Sequence, residues 1–404
     1  MLDYEPLPCP DLSIELSVPA DRGETIDFLA LPARPGVFAL EDEDGSTLAL
    51  AITRNLRRLI RSKLESDPQS DGPSRRIDYR AITRRVRAMT VGSCFEAEWA
   101  YLQLARSRTP STYASLLDRW RGWFVHIDPD VEFPRWTKTC RPFTSPPGEA
   151  GRYFGPMPDK HSTGRYIEMI EDAFDLCRYH HILIEAPDAK ACVYKEMGRC
   201  PAPCDGTITM DEYRKTVRSA ADFAAIPYPE WCAEVERKIK IASKRQDYEA
   251  AARWQMRRER TKLAGRAAYA LVKSIERFRF LGVFTSDREH YARIFLILGG
   301  WIEPLADIPL DANSEAIADL IESVHSQATN RPLPLTGNAS ENIGLVCRGL
   351  FRPKSERNDG EWLDLDETLD VTRLSDALHR LSRRGVNENA PVELEEQIME
   401  SLPE

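Results

Sequence analysis

Four cysteines between residues 177 and 204 restrict the fold of this chain more than any other feature of its sequence. Their spacing is Cys177-x14-Cys192-x7-Cys200-x3-Cys204. Glycines and prolines interrupt the last part of this stretch, which indicates a tight loop that can turn several sulfurs toward one centre. Thiolates are soft ligands that suit Zn²⁺ or an iron–sulfur cluster, although the spacing lacks the paired C-x2-C knuckles of a zinc ribbon. The spacing therefore indicates a metal centre.

The alternative is that the four cysteines pack as small apolar residues without a metal. A disulfide framework is not expected, because the chain has nine cysteines, an odd number, and its acidic N-terminus has no signal-peptide pattern. No apolar run approaches the ~20 residues that a membrane span needs. These observations predict a cytoplasmic protein that does not contact a membrane.

The hydrophobic patterning predicts an α+β fold. Asp44-Gly45 predicts the turn of a hairpin between a strand that ends near residue 40 and a second strand at 46–52. Further strands are predicted at 123–127, 280–284, 292–298 and 343–350. Helices are predicted at 54–65, 92–106, 162–177, 209–224, 229–277 (with at least one turn), 314–327 and 372–383. Residues 134–160 are rich in Pro, Gly and Thr and are predicted to be a linker.

Basic residues concentrate in the first quarter of the chain. The net charge is −9, which by itself argues against a nucleic-acid partner. Between residues 54 and 87, however, eleven Lys or Arg stand against four acids, and the run includes Arg75 and Arg76. A local basic face attracts phosphate even in an acidic chain, because screening acts over only about 8 Å. The predicted DNA-binding residues are Arg54, Arg57, Arg58, Arg61, Arg84 and Arg85. The alternative is a solvated basic face that balances acids elsewhere.

The cysteine region resembles a known protein family. Tyr153-Phe154-Gly155-Pro156 is followed by FDLCRYH and then by ACVYKEMGRCPAPCDGTITMDEYRKTVRSAADF. This order of an aromatic-Gly-Pro segment, four cysteines and a Glu-Tyr helix is similar to UvrC, the nuclease subunit of bacterial nucleotide-excision repair. The resemblance covers about residues 28–265. It implies that a [4Fe–4S] cluster, or zinc as the alternative, is held by Cys177, Cys192, Cys200 and Cys204.

Residues 235–257, VERKIKIASKRQDYEAAARWQMR, are similar to a UVR motif, the helical hairpin through which UvrC contacts UvrB. The resemblance implies a UvrB-like partner that binds through Tyr248, Glu249, Ala251, Ala252 and Arg253. The alternative is a charged hairpin that is merely solvated. The RNase H-like and helix-hairpin-helix domains of full-length UvrC are not evident in this sequence.

The segments around Gly36-Val37-Phe38 and Asn55-Leu56-Arg57 look like the start of a GIY-YIG nuclease domain. The family positions of two tyrosines, an arginine, the metal-binding glutamate and an asparagine are here Phe38, Ala49, Leu59, Tyr101 and Tyr113. These replacements remove the nucleophile activator, the phosphate clamp and the metal ligand, so neither nuclease activity nor a divalent metal is expected at this site. The alternative is an active nuclease with displaced catalytic residues such as Glu98 and Arg58.

The resemblance implies five successive parts. They are an N-terminal extension (1–27), a degenerate GIY-YIG-like domain (28–135), a cysteine-cluster region (150–226), a UVR-like hairpin (229–277) and a C-terminal α+β domain of unknown role (278–404). The predicted function is a repair component that binds double-stranded DNA and a UvrB-like protein but does not cut DNA. Two alternatives stay open: a metal-dependent repair endonuclease, and an iron–sulfur regulatory or scaffolding protein that does not bind DNA directly.

Overall fold

The structure is a computed structural model, and it describes residues 7–65, 77–142, 151–330, 338–353, 359–385 and 397–400. The chain divides into two compact units. The first unit comprises Met1–Trp120, Arg279–Pro334 and Arg348–Glu404, and the second comprises Arg121–Phe278 and Leu335–Cys347. Both contain sheets and helices, which confirms the predicted α+β class. The finer division into five parts stays a prediction.

A five-stranded antiparallel sheet lies in the first unit. Its strands, in spatial order, are β1 (Ile14–Ser17), β4 (Arg85–Thr90), β2 (Gly36–Glu41), β3 (Thr47–Thr53) and β14 (Gln397–Glu400). The predicted hairpin joins β2 and β3. In its turn Gly45 has a φ of 83°, and the Asp42 carboxylate accepts a hydrogen bond from the Ser46 N–H at 2.8 Å. Glycine takes this left-handed conformation without the strain that a Cβ would add.

Four helices accompany this sheet: α1 (Leu56–Glu65), α2 (Tyr79–Ile82), α3 (Cys94–Arg108) and α4 (Pro110–Arg119). α1 buries Leu56, Ile60 and Leu64, as its apolar periodicity predicts. α3 differs, because all twelve residues of Cys94–Ala105 are buried. A helix that is buried on all sides lies inside a domain rather than on its surface. Its polar residues therefore need partners inside the core.

A second antiparallel sheet of the first unit comes from the C-terminal part of the chain. Its strands are β11 (Trp301–Pro304), β10 (Tyr291–Leu298), β9 (Arg279–Thr285) and β13 (Gly360–Asp364), and β12 (Ile308–Pro309) also pairs with β10. The helices α11 (Ser314–Asn330) and α13 (Val371–Gly385) contact each other, and their core includes Ile317, Leu374 and Leu378. The predicted strands at 280–284 and 292–298 are confirmed as β9 and β10.

The predicted strand at 343–350 is wrong. These residues belong to a helix, α12 (Asn338–Phe351). Leu345, Val346 and Leu350 are buried, so the helix presents apolar side chains on several sides. A short, continuously apolar run has no period that separates a buried strand from a buried helix, which explains the error.

In the second unit, the described residues between 121 and 278 form a four-stranded antiparallel sheet and six α-helices, and most of α12 also belongs to this unit. The strands, in spatial order, are β6 (Thr137–Thr139), β5 (Trp123–Ile127), β7 (Arg152–Met157) and β8 (Lys273–Ser274). The helices are α5 (Lys160–Ala173), α6 (His180–Leu183), α7 (Val193–Glu196), α8 (Met210–Ala224), α9 (Tyr228–Lys244) and α10 (Tyr248–Arg260). The linker predicted at 134–160 is wrong for the described residues, because β6 and β7 lie there. Gly155 of β7 lies so close to the Phe124 ring that a Cβ would come within 2.5 Å of it, which favours glycine at this position.

Short-range signals set the helix starts of the second unit. Thr209 and Glu212 form a capping box at the start of α8. The helix predicted at 162–177 begins two residues earlier, because its N-cap is Asp159, whose carboxylate accepts from the Ser162 N–H at 2.7 Å. Among the described residues, no helix is both long enough and apolar enough to cross a membrane.

Candidate metal centre and binding surfaces

The four predicted metal ligands lie in one irregular segment of the second unit. Cys177 follows α5, Cys192 precedes α7, and Cys200 and Cys204 follow α7. Cys200 and Cys204 are buried, whereas Cys177 and Cys192 are half-buried. The backbone takes positive φ at three residues around the last two cysteines: Gly198, Ala202 and Gly206. These turns fold the segment back on itself, as the predicted tight loop requires.

The Cys177 thiol donates to the carbonyl oxygen of Tyr179 at 3.6 Å. Interaction with Cys177 lowers the pKa of Cys200 to about 7, and the same interaction raises the pKa of Cys177. Burial raises the pKa of Cys204, and the nearby charges of Cys200 and Cys192 add to this effect. The thiolate is the form that binds metals. The segment therefore contains one sulfur close to ionisation at neutral pH and three more within electrostatic reach of one another.

Polar contacts brace the cysteine segment. The Lys195 ammonium donates to the Asp205 carboxylate and, at 2.7 Å, to the Thr207 hydroxyl. The bond from Lys195, followed by one from Thr207, lowers the pKa of Asp205 to about 2. The Ala189 N–H donates to the carbonyl oxygen of Cys204 at 3.0 Å. Within the described ranges, however, no three His, Cys, Asp or Glu side chains converge on a point where they could hold a single metal ion.

The helical hairpin of α9 and α10 presents apolar side chains to solvent. Tyr248 is 70% exposed and Met256 is 54% exposed, and Ala252 lies exposed between them at the same four-residue spacing. Residues four apart share one face of a helix, so these three form an apolar stripe. No described residue of α10 is buried. Of the predicted partner-binding residues, Tyr248, Glu249, Ala252 and Arg253 are exposed and Ala251 is half-buried.

The five degenerate nuclease positions lie in or beside the core of the first unit. Phe38, Ala49 and Leu59 pack in one hydrophobic cluster around the first sheet. Tyr101 is 1% exposed on α3, and burial raises the pKa of its phenol. The Tyr113 hydroxyl accepts from the Arg106 guanidinium at 3.0 Å. The structure thus brings three of these positions together, but around apolar side chains rather than around a polar cleft.

Two glutamates of α3 are paired with arginines from the C-terminal part of the chain. One oxygen of Glu98 accepts from both Arg348 and Arg352, each at 2.9 Å, and the Glu98 side chain is 7% exposed. Glu96 accepts from Arg293 at 2.8 Å, and its side chain is 1% exposed. Burial raises the pKa of Glu96 to about 7, although the charge of Arg293 opposes the shift. These arginines were missed because helical periodicity carries no information about partners some 200 residues away.

The predicted DNA-binding arginines lie at α1 and β4 of the first unit. Each of the six takes part in intramolecular hydrogen bonds, ion pairs or electrostatic interactions. Arg57 donates to the carbonyl oxygen of Leu31 at 2.8 Å, and Arg61 pairs with Glu65 at 2.6 Å. Exposed ion pairs such as the latter contribute at most about 1 kcal/mol, so phosphate can displace them. Arg75 and Arg76 lie outside the described residues.

Comparison with known proteins matches residues 123–223, which include all four cysteines, to the family model of the UvrC/Cho excinuclease middle domain. The UvrABC system protein C of Trichlorobacter lovleyi is 26% identical over 231 residues, which cover 56% of this chain and 36% of that relative. The protein of the same name from Methanococcoides burtonii is 22% identical over 318 residues, or 76% of this chain and 50% of the relative. That of Clostridium acetobutylicum is 20% identical over 394 residues, or 92% and 62%. The chain thus spans 36–62% of the length of these relatives. No solved structure matches it.

Proposed function

We propose that this UvrC-like chain acts in nucleotide-excision repair as a DNA-binding component without nuclease activity of its own. Double-stranded DNA and a UvrB-like protein are its proposed partners. The pairing of Glu98 with Arg348 and Arg352 is the main support for the proposed absence of nuclease activity. It affects Glu98, the acidic residue considered above as a possible replacement for the missing metal ligand.

A divalent metal needs a carboxylate that is open to solvent and substrate. The Glu98 carboxylate is instead held between two guanidinium groups, whose positive charge repels a metal ion at this distance. A cavity of about 10 Å³ beside Glu98 and Asp359 has room for about one water. That volume excludes a hydrated metal together with a substrate phosphate. An active enzyme would require Glu98 to leave both arginines.

The proposed cofactor is a [4Fe–4S] cluster on Cys177, Cys192, Cys200 and Cys204. Each ligand of such a cluster binds a different iron, so the four sulfurs do not have to converge on one ion as they do in a zinc site. The four described cysteines lie in one segment, and Cys177, Cys200 and Cys204 interact electrostatically with one another. A bound cluster would tie the cysteine segment to the end of α5 through four iron–sulfur bonds.

The proposed contact with a UvrB-like protein is the apolar stripe of α10. Exposed apolar side chains in a row cover little of this chain's own core, so their burial against a partner removes apolar surface from water. Glu249 and Arg253 lie beside the stripe and are exposed, as polar residues at the rim of an interface usually are.

The test is incision of a labelled, lesion-containing duplex by protein purified without oxygen, with Mg²⁺ or Mn²⁺ and with and without UvrA and UvrB. We expect no incision and duplex binding that weakens steeply with salt. Metal-dependent incision that is lost in Glu98→Ala and in Arg58→Ala would show that this is an active nuclease. The second variant changes only an exposed residue, so it separates loss of catalysis from loss of folding. Absence of duplex binding by folded protein at about 50 mM salt would leave the iron–sulfur regulatory function instead.

A further inference from the structure

A cleft of about 760 Å³ opens in the second unit between the β6 region and α5, next to Cys177. We call it the β6–α5 cleft. Its volume lies within the range of ~300–1,000 Å³ that is typical of ligand sites. The cationic residues in its walls are Arg135, Lys138, Arg141, Lys160 and Arg178. Only two acids, Glu168 and Glu171, stand against these five cations among the described lining residues. The cleft therefore carries a net positive charge within a chain whose net charge is −9.

The cations come from several elements and point to a shared space. Lys138 belongs to β6, and its ammonium lies across Gly164 of α5, where a Cβ would come within 3.3 Å of it. Lys160 is the first residue of α5 and lies 6.0 Å from the centre of the Trp123 ring. Arg135 and Lys138 are exposed. Charges contributed by separate elements to one concave surface focus its potential on a bound anion.

Two donors in the same walls have no acceptor among the described residues. They are Nε1 of Trp136 and Nη1 of Arg178. Trp136 is 6% exposed, and the Arg178 side chain is 16% exposed. A buried donor without an acceptor is unfavourable by about 1–3 kcal/mol. Both nitrogen atoms are shielded from solvent, so they contribute to ligand binding only if the wall of the cleft shifts.

The aromatic residues distinguish a nucleic acid from free phosphate. Trp123 is half-buried in the cleft wall beside Lys160. Sites for single-stranded nucleic acid combine a positive groove with aromatic rings on which bases stack, whereas inorganic phosphate gains nothing from a ring. The volume suits a few nucleotides of one strand, because a duplex is too wide to enter a cleft of small-ligand size.

We propose that the β6–α5 cleft binds the backbone of a short single-stranded DNA segment and stacks a base on Trp123. The inference rests on the proposed function and deepens it, because it names single-stranded DNA as the form of DNA that the second unit binds. It assigns this contact to residues other than the arginines predicted at α1 and β4.

The test is fluorescence anisotropy of a labelled twelve-nucleotide oligothymidine and of a duplex of about the same length, at several salt concentrations. We expect Arg135→Glu/Lys138→Glu to weaken binding of the single strand at least about tenfold and to reduce the salt slope by about one to two. The matched control is Arg237→Glu/Lys240→Glu, which makes the same charge change at exposed residues of α9 outside the cleft and should leave binding within about twofold. Trp123→Leu should weaken binding of the single strand about fivefold or more and leave the affinity for inorganic phosphate unchanged.

Single-strand binding by the cleft variant that equals binding by the control overturns the inference. So does displacement of the oligonucleotide by inorganic phosphate with no dependence on oligonucleotide length, which indicates a simple phosphate site. Binding of the duplex together with no binding of the single strand also overturns it but leaves the proposed function standing. Failure to bind any DNA at low salt overturns the proposed function itself. Thermal unfolding of each variant shows whether a loss of affinity comes from a loss of folding.

Discussion

Glu98 and Arg352 are hydrogen-bonded at 2.9 Å inside the first unit, although 254 positions separate them in the chain. Arg348 approaches the same carboxylate oxygen from one helical turn earlier. The helix that resembles the metal-binding helix of a nuclease is thereby held by cations from the C-terminal part of the chain. The same contact has two consequences, since it neutralises the carboxylate and joins α3 to residues 348–352.

The first prediction concerns this contact. Glu98→Gln keeps the shape of the side chain but removes the negative charge that Arg348 and Arg352 share. We expect the free energy of unfolding to fall by about 2–3 kcal/mol, because breaking a buried charge pair leaves the arginine charges less well compensated in the core. Urea unfolding measures the change, and Glu315→Gln, at an exposed residue of α11, is the control and should differ from wild type by less than about 0.5 kcal/mol. Equal unfolding of both variants would show that the pair contributes nothing.

The second prediction concerns the pH dependence of stability through Glu96. Burial raises the pKa of Glu96 from 4.5 to about 7 in the folded chain. A raised folded pKa means that the folded state holds the proton more tightly, so this contribution is complete below about pH 4.5 and is lost as the pH rises through about 7. Glu96→Gln cannot titrate. Relative to this variant, the wild type should lose about 1–2 kcal/mol of unfolding free energy between pH 5.5 and 8.

Unfolding curves in urea at a series of pH values measure this difference. Parallel pH profiles of wild type and Glu96→Gln would contradict the prediction and would mean that Arg293 holds Glu96 ionised throughout. Glu303→Gln controls for the loss of a carboxylate in the same unit, because Glu303 is bonded to Trp301 near the protein surface.

Local patterns in the sequence were sufficient for much of the fold. The Asp-Gly turn predicted the β2–β3 hairpin, and helical periodicity predicted α1 and α13, because both signals are complete within a few residues. β1 and β4 were missed because each is short and pairs across about 70 residues of chain. β14 was missed for a similar reason, since its partner is β3 at the other end of the sequence.

The same distinction between local signals and long-range contacts applies to the candidate sites. The four cysteines could be found from spacing, because all of them lie within one segment. The partners of Glu96 and Glu98 could not be found from the sequence, since no local rule connects α3 with Arg293 or Arg352. The β6–α5 cleft was hidden for another reason: its Pro- and Gly-rich sequence predicts a linker, and only the pairing of β6 with β5 places Lys138 opposite α5.

The third prediction concerns the cysteine segment. Protein purified without oxygen should contain about four irons and four sulfides per chain, the content of one [4Fe–4S] cluster. Cys200→Ser should lose most of both, because it removes one of the four proposed iron ligands. Cys140→Ser changes a half-buried cysteine of the same unit outside the ligand set and should keep the full content. Stoichiometric zinc without iron, or equal loss in both variants, would contradict the proposed cluster.

The fourth prediction concerns the apolar stripe of α10. Tyr248→Ala should weaken binding of a UvrB-like protein about 30-fold, which corresponds to about 2 kcal/mol for a central aromatic residue of an interface. It should change the unfolding free energy by less than about 0.5 kcal/mol, because Tyr248 is 70% exposed and holds nothing in the core. Leu29→Ala, at an equally exposed apolar residue of the first unit, is the matched control and should leave the affinity unchanged. Isothermal titration of each variant with the partner measures the affinity and distinguishes Tyr248→Ala from Leu29→Ala. Equal affinities would mean that the hairpin is only a solvated element, as its charged composition alone allows.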